Sequence, residues 1–264
     1  MANRWAPVLS GAFLVLSIAR DAHADDDPPR ATAFSPDFMF HDWRAEPIAI
    51  ALAAAPSLGN FLSTSHAGGA PDAAHSRQST ALTWSDVTIV STVALTILGA
   101  GLAEGARDGA LRTEHLRATL VVAESVLFGT GLTSFPKALV GRCRPYDWDD
   151  ATHTCNAAAG DDAFRAMWSG HAATAAAGAG AATCLAIRDS GFGWPAVVGI
   201  VGEGLAATTG VLRVAGGAHS WSDVGVGFAA GNAAGFIMCA IHPSARTDIV
   251  LAPTASGASF SARF

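Results

Sequence analysis

The 264-residue chain is 50% hydrophobic and only 14% charged, with a mean hydropathy of +0.33. An ordinary soluble domain carries about 25% charged residues, so intrinsic disorder is excluded. The balance of 16 basic against 22 acidic residues leaves no electrostatic footprint for nucleic acid.

What remains is one or two domains, either a membrane protein or a tightly packed helical bundle rich in Ala and Gly. The chain opens with Arg4, an apolar run from Trp5 to Ala19 and an Ala22-His23-Ala24 cleavage site. Residues 1–24 therefore read as a secretory signal peptide. Cleavage after Ala24 is favoured over an uncleaved anchor, and either outcome places residue 25 outside the cytoplasm. Residues 25–82 form a polar N-terminal region with Pro28, Pro29 and Pro36, and with a short interfacial helix between Ile48 and Leu62. Its last part, 63–82, is rich in Ser, Gly, His and Pro and reads as a loop.

Residues 83–243 read as an all-α bundle of five to six apolar helices. The segments are Val87–Leu102, Leu116–Phe135, His171–Ile187, Trp194–Leu212 and Asp223–Ile241. A polar insertion, 136–169, carries His153 and five aspartates including Asp161 and Asp162, and reads as a solvated acidic loop rather than a metal patch. The tail, 244–264, alternates loosely around Pro253 and Gly257, which fits an extended strand or small hairpin. There is no internal repeat.

Each helix is near the ~20 residues needed to cross ~30 Å of hydrocarbon. Ala and Gly fill them, however, and Glu124, Glu203 and Asn232 stand in mid-segment. A bundle spanning the inner membrane is favoured over a soluble periplasmic one. Arg107, Arg112 and Arg117 cluster in one turn, which the positive-inside rule assigns to the cytoplasm; the insertion then lies outside. Glu124 and Glu203 are proton-relay residues in the first case and partly buried polar groups in the second.

Cys143 and Cys155 bracket a polar loop, so a disulfide there suits an exported chain. Cys184 and Cys239 lie in apolar helices and read as buried thiols. No C-x-x-C pair supports a zinc or redox motif.

Of the 16 basic residues, 15 are arginine and one is lysine, Lys137. It opens the first of three clusters in the joints between helices, Lys137-x6-Arg144-Pro145. The second, Trp168-Ser169-Gly170-His171, opens a helix; the third, Arg213-x5-His219-x3-Asp223, links the last two helices. Helix parity puts all three at one end of the bundle. Lys137, Arg144 and Arg213 then converge with Ser169, the Gly170 amide, His171 and His219. Three cations, a hydroxyl, helix N-terminal amides and two imidazoles form an oxyanion site.

These clusters resemble the signature of the type 2 phosphatidic acid phosphatase and vanadium haloperoxidase superfamily, on its phosphatase branch: Lys-x6-Arg-Pro, Pro-Ser-Gly-His and Ser-Arg-x5-His-x3-Asp. Trp168 stands in place of the usual proline and Leu212 in place of the usual serine. These departures bear on substrate fit and loop shape rather than on the chemistry.

The resemblance implies a metal-independent phosphatase without cofactor. His219 would be the nucleophile that forms a phosphohistidine, and Asp223 would accept its other ring proton. His171 would be the general acid and base, and Lys137, Arg144, Ser169, Gly170 and Arg213 would hold the phosphate oxygens. The substrate is expected to be a phosphorylated membrane lipid. A soluble acid phosphatase of broad specificity and a phosphotransferase to an alcohol are the alternatives. Arg142, inside the first cluster but outside its pattern, reads as solvated surface. Trp168 and Trp221 read as a hydrophobic lip for an acyl chain or as core.

Overall fold

The computed structural model describes residues 69–111, 115–190, 193–242, 248–254 and 257–263. The expected signal peptide, and the interfacial helix between Ile48 and Leu62, lie outside the described residues. The fold is all-α with almost no sheet. The long helices are α1 (Ser79–Asp108), α2 (His115–Leu132), α4 (Gly170–Leu185), α5 (Trp194–Ala215) and α6 (Trp221–Ile241), with a short α3 (Ser134–Val140) after α2.

Helix α4 is the axle. Its sequence, GHAATAAAGAGAATCL, is half alanine, the residue that enters a helix at least cost. Eleven of its sixteen residues are buried and none is exposed, with α1, α2, α5 and α6 around it. Small side chains let the neighbours approach to backbone contact. A Cβ on Gly231 of α6 would collide with the Ala173 carbonyl of α4, and one on Gly129 of α2 would lie 2.5 Å from the Ala177 Cβ. Glycine at these positions is a packing requirement.

Local chemistry sets the boundaries. Gly109 ends α1 in the left-handed region (φ 73°), the usual C-terminal stop. Pro195 starts α5, where its missing N–H costs nothing. Ser169 caps α4 by accepting from the Ala172 N–H at 3.4 Å, and Asp223 accepts the Ser220 N–H at 2.8 Å at the start of α6. Helix α1 begins two turns earlier than the apolar run at Val87 suggests, because its polar opening turns face the cluster end of the bundle.

The polar insertion is ordered by a two-residue pair, β1 (Trp148–Asp149) with β2 (Thr154–Cys155), and by short 3-10 turns. The expected Cys143–Cys155 disulfide is present. Cys184 and Cys239 are also bridged, which corrects the reading of two free thiols. Close α4–α6 packing brings their Cα atoms to 6.2 Å, within the span a disulfide covers. The tail forms an antiparallel hairpin, β3 (Asp248–Thr254) with β4 (Gly257–Arg263).

Four helical segments, 79–108, 115–147, 194–215 and 221–241, are long and apolar enough to cross a membrane. Their outward faces carry exposed Val90 and Leu98 on α1, Leu127 on α2, Ile200 on α5, and Phe236 and Ile237 on α6. Exposed tryptophans stand at both ends of the bundle: Trp84 and Trp221 where α1 and α6 begin, and Trp194 where α5 begins.

Candidate active site

Helices α1, α4 and α6 start at one end of the bundle, and α2 and α5 finish there. This parity gathers the three sequence clusters. Lys137 projects from α3 so that its Nζ lies 3.1 Å from where a Cβ of Gly170 would stand. The ammonium therefore covers the first residue of α4, where free helix amides also favour an anion.

Arg144 is buried and aimed by the insertion. Its Nε donates to the Asp162 carbonyl at 2.8 Å, its Nη2 to the Asp162 carboxylate at 2.7 Å and its Nη1 to the Ala218 carbonyl at 3.4 Å. One of the five aspartates thus has a specific partner. Burial works against the charge on Asp162, but the Arg144 guanidinium outweighs it and holds the carboxyl below its ordinary range.

Arg213, on the last turn of α5, donates from Nη1 to Ser85 Oγ at 3.3 Å, and its Nε is buried without a hydrogen-bond partner. Ser169 is fully buried, and its N–H donates to the Asp223 carbonyl at 3.0 Å. This bond ties the start of α4 to the start of α6. His171, one residue into α4, places Nε2 2.9 Å from the Asp86 carboxylate.

His219 is 1% exposed. Burial, then the cations Arg144, Arg213 and Lys137, push its pKa well below the ordinary 6.5. A neutral imidazole among three cations is the form a nucleophile requires.

The expected Asp223 contact differs. The His219 Nδ1 lies 2.8 Å from the Ala166 carbonyl and 3.9 Å from Asp223 Oδ2, beyond hydrogen-bond length. Asp223 is engaged elsewhere, accepting from the Ser220 N–H and, at 2.8 Å, from Arg142 Nη1. The tautomer with its proton on Nδ1 is held by a backbone carbonyl, which leaves Nε2 unprotonated.

Arg142 corrects a second expectation. It is a clamp, not solvated surface: its side chain is 13% exposed and donates to Asp223, Ser222, Asp72 and the Ala70 carbonyl. Asp72 accepts in turn from the Ser222 N–H at 3.1 Å. The segment 69–78 is thereby strapped across the start of α6, further held by bonds from the His75 N–H to the Pro145 carbonyl and from the Gln78 N–H to the Gly216 carbonyl. Sequence reading missed Asp72, Ser85, Asp86 and the Ala166 carbonyl. For Ser85 and Asp86 a signal existed: a polar pair in the opening turns of an apolar helix that parity sends to the site.

Glu124 and Glu203 do not join the site. Glu203 accepts from Asn232 Nδ2 at 3.3 Å, and Glu124 lies 2.9 Å from His242 Nε2. Trp221 is exposed beside the site, while Trp168 is half-buried. Among the described residues no group of three or more His, Cys, Asp or Glu side chains is placed to hold a metal ion.

The family model described as the PAP2 superfamily matches residues 118–246, a span that contains all three clusters. No curated protein and no solved structure matches the chain.

Proposed function

With residues 118–246 identified as a PAP2-superfamily region, which implies phosphatase-type activity, we propose that the protein is a metal-independent phosphatase of phosphorylated membrane lipids, acting on monoesters or diphosphates through a phosphohistidine. The observation that carries this reading is the convergence of Lys137, Arg144 and Arg213 on a buried, neutral His219, with His171 at the same end.

The His219 Nε2 lone pair attacks phosphorus while the ester P–O bond breaks, and His171 gives the departing oxygen its proton. Charge spreads over the equatorial oxygens, which Lys137, Arg144 and Arg213 neutralise with the Ser169 hydroxyl and the Gly170 amide. His171, now neutral, takes a proton from water as that water attacks the phosphohistidine, releasing inorganic phosphate and restoring both rings. Proton transfer of this kind contributes about 10²–10⁴ in rate. The side-chain cations supply the neutralisation that a metal supplies in nucleotide enzymes. Ala166, rather than Asp223, orients the nucleophile, and Asp223 with Arg142 holds the start of α6.

A membrane setting is supported by the four apolar segments and the exposed aliphatic faces, an area soluble monomers rarely leave open. The tryptophans at both ends of the bundle suit the two interfaces, and Arg107 at the end of α1 and Arg117 at the start of α2 lie at the end opposite the site, so the site faces outward. Export with a periplasm-facing site follows from this orientation and the expected signal peptide. Trp221 beside the site would form part of the lip against which an acyl chain rests.

The test is purified protein in detergent assayed on phosphatidic acid, a polyprenyl diphosphate and 4-nitrophenyl phosphate, each with EDTA. Hydrolysis that survives chelation and is blocked by vanadate, with preference for the lipids, is expected. Loss on chelation that zinc or magnesium restores would overturn the metal-independent site, and preference for the soluble ester would overturn the lipid assignment.

A further inference from the structure

Asp86 belongs to none of the three clusters, yet it touches two of them. From the second turn of α1 its Oδ1 lies 2.9 Å from His171 Nε2 and 3.6 Å from Arg213 Nη1. Its side chain is 64% exposed, so it stands at the open mouth rather than in the core. For binding alone the placement is adverse, because a carboxylate at the rim of a phosphate site repels the incoming anion. It does not pack in the core either: α1 is buried through Ser85, Thr92 and Thr96, on the face that Asp86 does not share.

The charges around His171 explain the carboxylate. Two cations act on the ring: Arg213 from α5 and Lys137 from α3. A general acid must carry a proton before it can give one, and burial first, then these cations, push the His171 pKa down to about 4 against the upward pull of Asp86. Asp86 is an anion within hydrogen-bond reach of the ring, and its charge favours the protonated imidazole. Arg213 is the more distant partner, and its Nη1 already donates to Ser85.

We infer that Asp86 is the positioning residue of the general acid, holding the Nε2–H of His171 so that the ring is fixed in rotation and sustains the protonated state from which the leaving group takes its proton. This inference rests on the phosphatase reading above. It adds a residue of α1, upstream of the family-matched span, to the working site. No atom of Asp86 is transferred or bonded to substrate; it acts through His171 alone.

The leaving group separates this role from simple support of Arg213. Expulsion of 4-nitrophenolate needs little protonation, whereas expulsion of a benzyl alkoxide needs it fully. Full-length enzyme is assayed on 4-nitrophenyl phosphate and benzyl phosphate as wild type, Asp86→Asn, Asp86→Glu, His171→Ala and the Asp86→Asn/His171→Ala double variant. For Asp86→Asn, kcat/KM on benzyl phosphate is expected to fall by about 10²-fold, the lower end for a lost general acid. The loss on 4-nitrophenyl phosphate stays below tenfold, and vanadate inhibition is little changed. Asp86→Glu recovers part of the loss, and Asp86→Asn adds nothing in the His171→Ala background. Equal loss on both esters, weakened vanadate inhibition, or additivity with His171→Ala would overturn the inference while leaving the phosphatase reading intact. Wild-type enzyme inactive on both esters and on the phosphorylated lipids would overturn that reading, and this inference with it.

Discussion

The imidazole of His219 leans on the carbonyl of Ala166, 2.8 Å from its Nδ1. A carbonyl is an acceptor that neither titrates nor rotates away, so the ring keeps one tautomer without a carboxylate. Asp223 is freed for a different task, closing the first turn of α6 and anchoring Arg142.

Arg142→Ala should therefore act on stability first. It strands the fully buried Asp223 carboxylate, and breaking such a pair costs about 3–5 kcal/mol. A lowered thermal midpoint in detergent is expected, with residual activity that scales with folded protein. An unchanged midpoint would show that the strap 69–78 does not depend on this clamp.

The two histidines should separate in a rapid-quench experiment with 4-nitrophenyl phosphate. His219→Ala forms no acid-labile, base-stable phosphoenzyme. His171→Ala forms it and accumulates it, because the residue that would activate water is gone. Trapped phosphate on His219→Ala would reverse the assignment.

Acid should reveal the depressed pKa of His219. The folded state keeps this imidazole neutral below 6.5, where an unfolded chain takes up the proton, so the unfolded state binds more protons and stability falls as pH drops through that value. His219→Gln removes this contribution. The loss in thermal midpoint between pH 7.5 and pH 5.5 should be smaller in the variant than in wild type; an equal loss would show that His219 titrates normally.

Both disulfides should appear in non-reducing peptide maps of exported protein. Chain-entropy arithmetic for separations of 12 and 55 residues gives at most about 3 and about 4 kcal/mol. Cys184→Ala/Cys239→Ala should lower the midpoint more than Cys143→Ala/Cys155→Ala. The opposite order would show that the insertion depends on its bridge more than the bundle does.

Much of this molecule was legible in its sequence because the relevant information is local. Apolar runs broken by Gly109 and Pro195 mark the helices, and the spacing of Lys137, Arg144, Arg213 and His219, with parity, places the three cations and the buried imidazole together. The misses share a cause. Asp86 against His171 and Cys184 against Cys239 depend on how helices are rotated about their axes, and Arg142 against Asp223 on the path of the loop after α3; no spacing along one helix encodes either. The Asp223 expectation failed for a related reason. A four-residue offset brings two side chains to one face, but a stronger local demand, the bare amide at Ser220, claimed the carboxylate first.

The alanine axle has a mechanical consequence. Where neighbouring helices touch α4 through backbone atoms, as Gly231 does at Ala173, sliding by one turn would drive side chains into main chain. The bundle is thus stiff along the line that presents Ser169, Gly170 and His171. Compliance is left to the mouth, where the insertion, the strap and the rim tryptophans meet whatever enters. Differences in shape between ligands are then a matter for the rim, while Ser169, Gly170 and His171 stay at constant geometry.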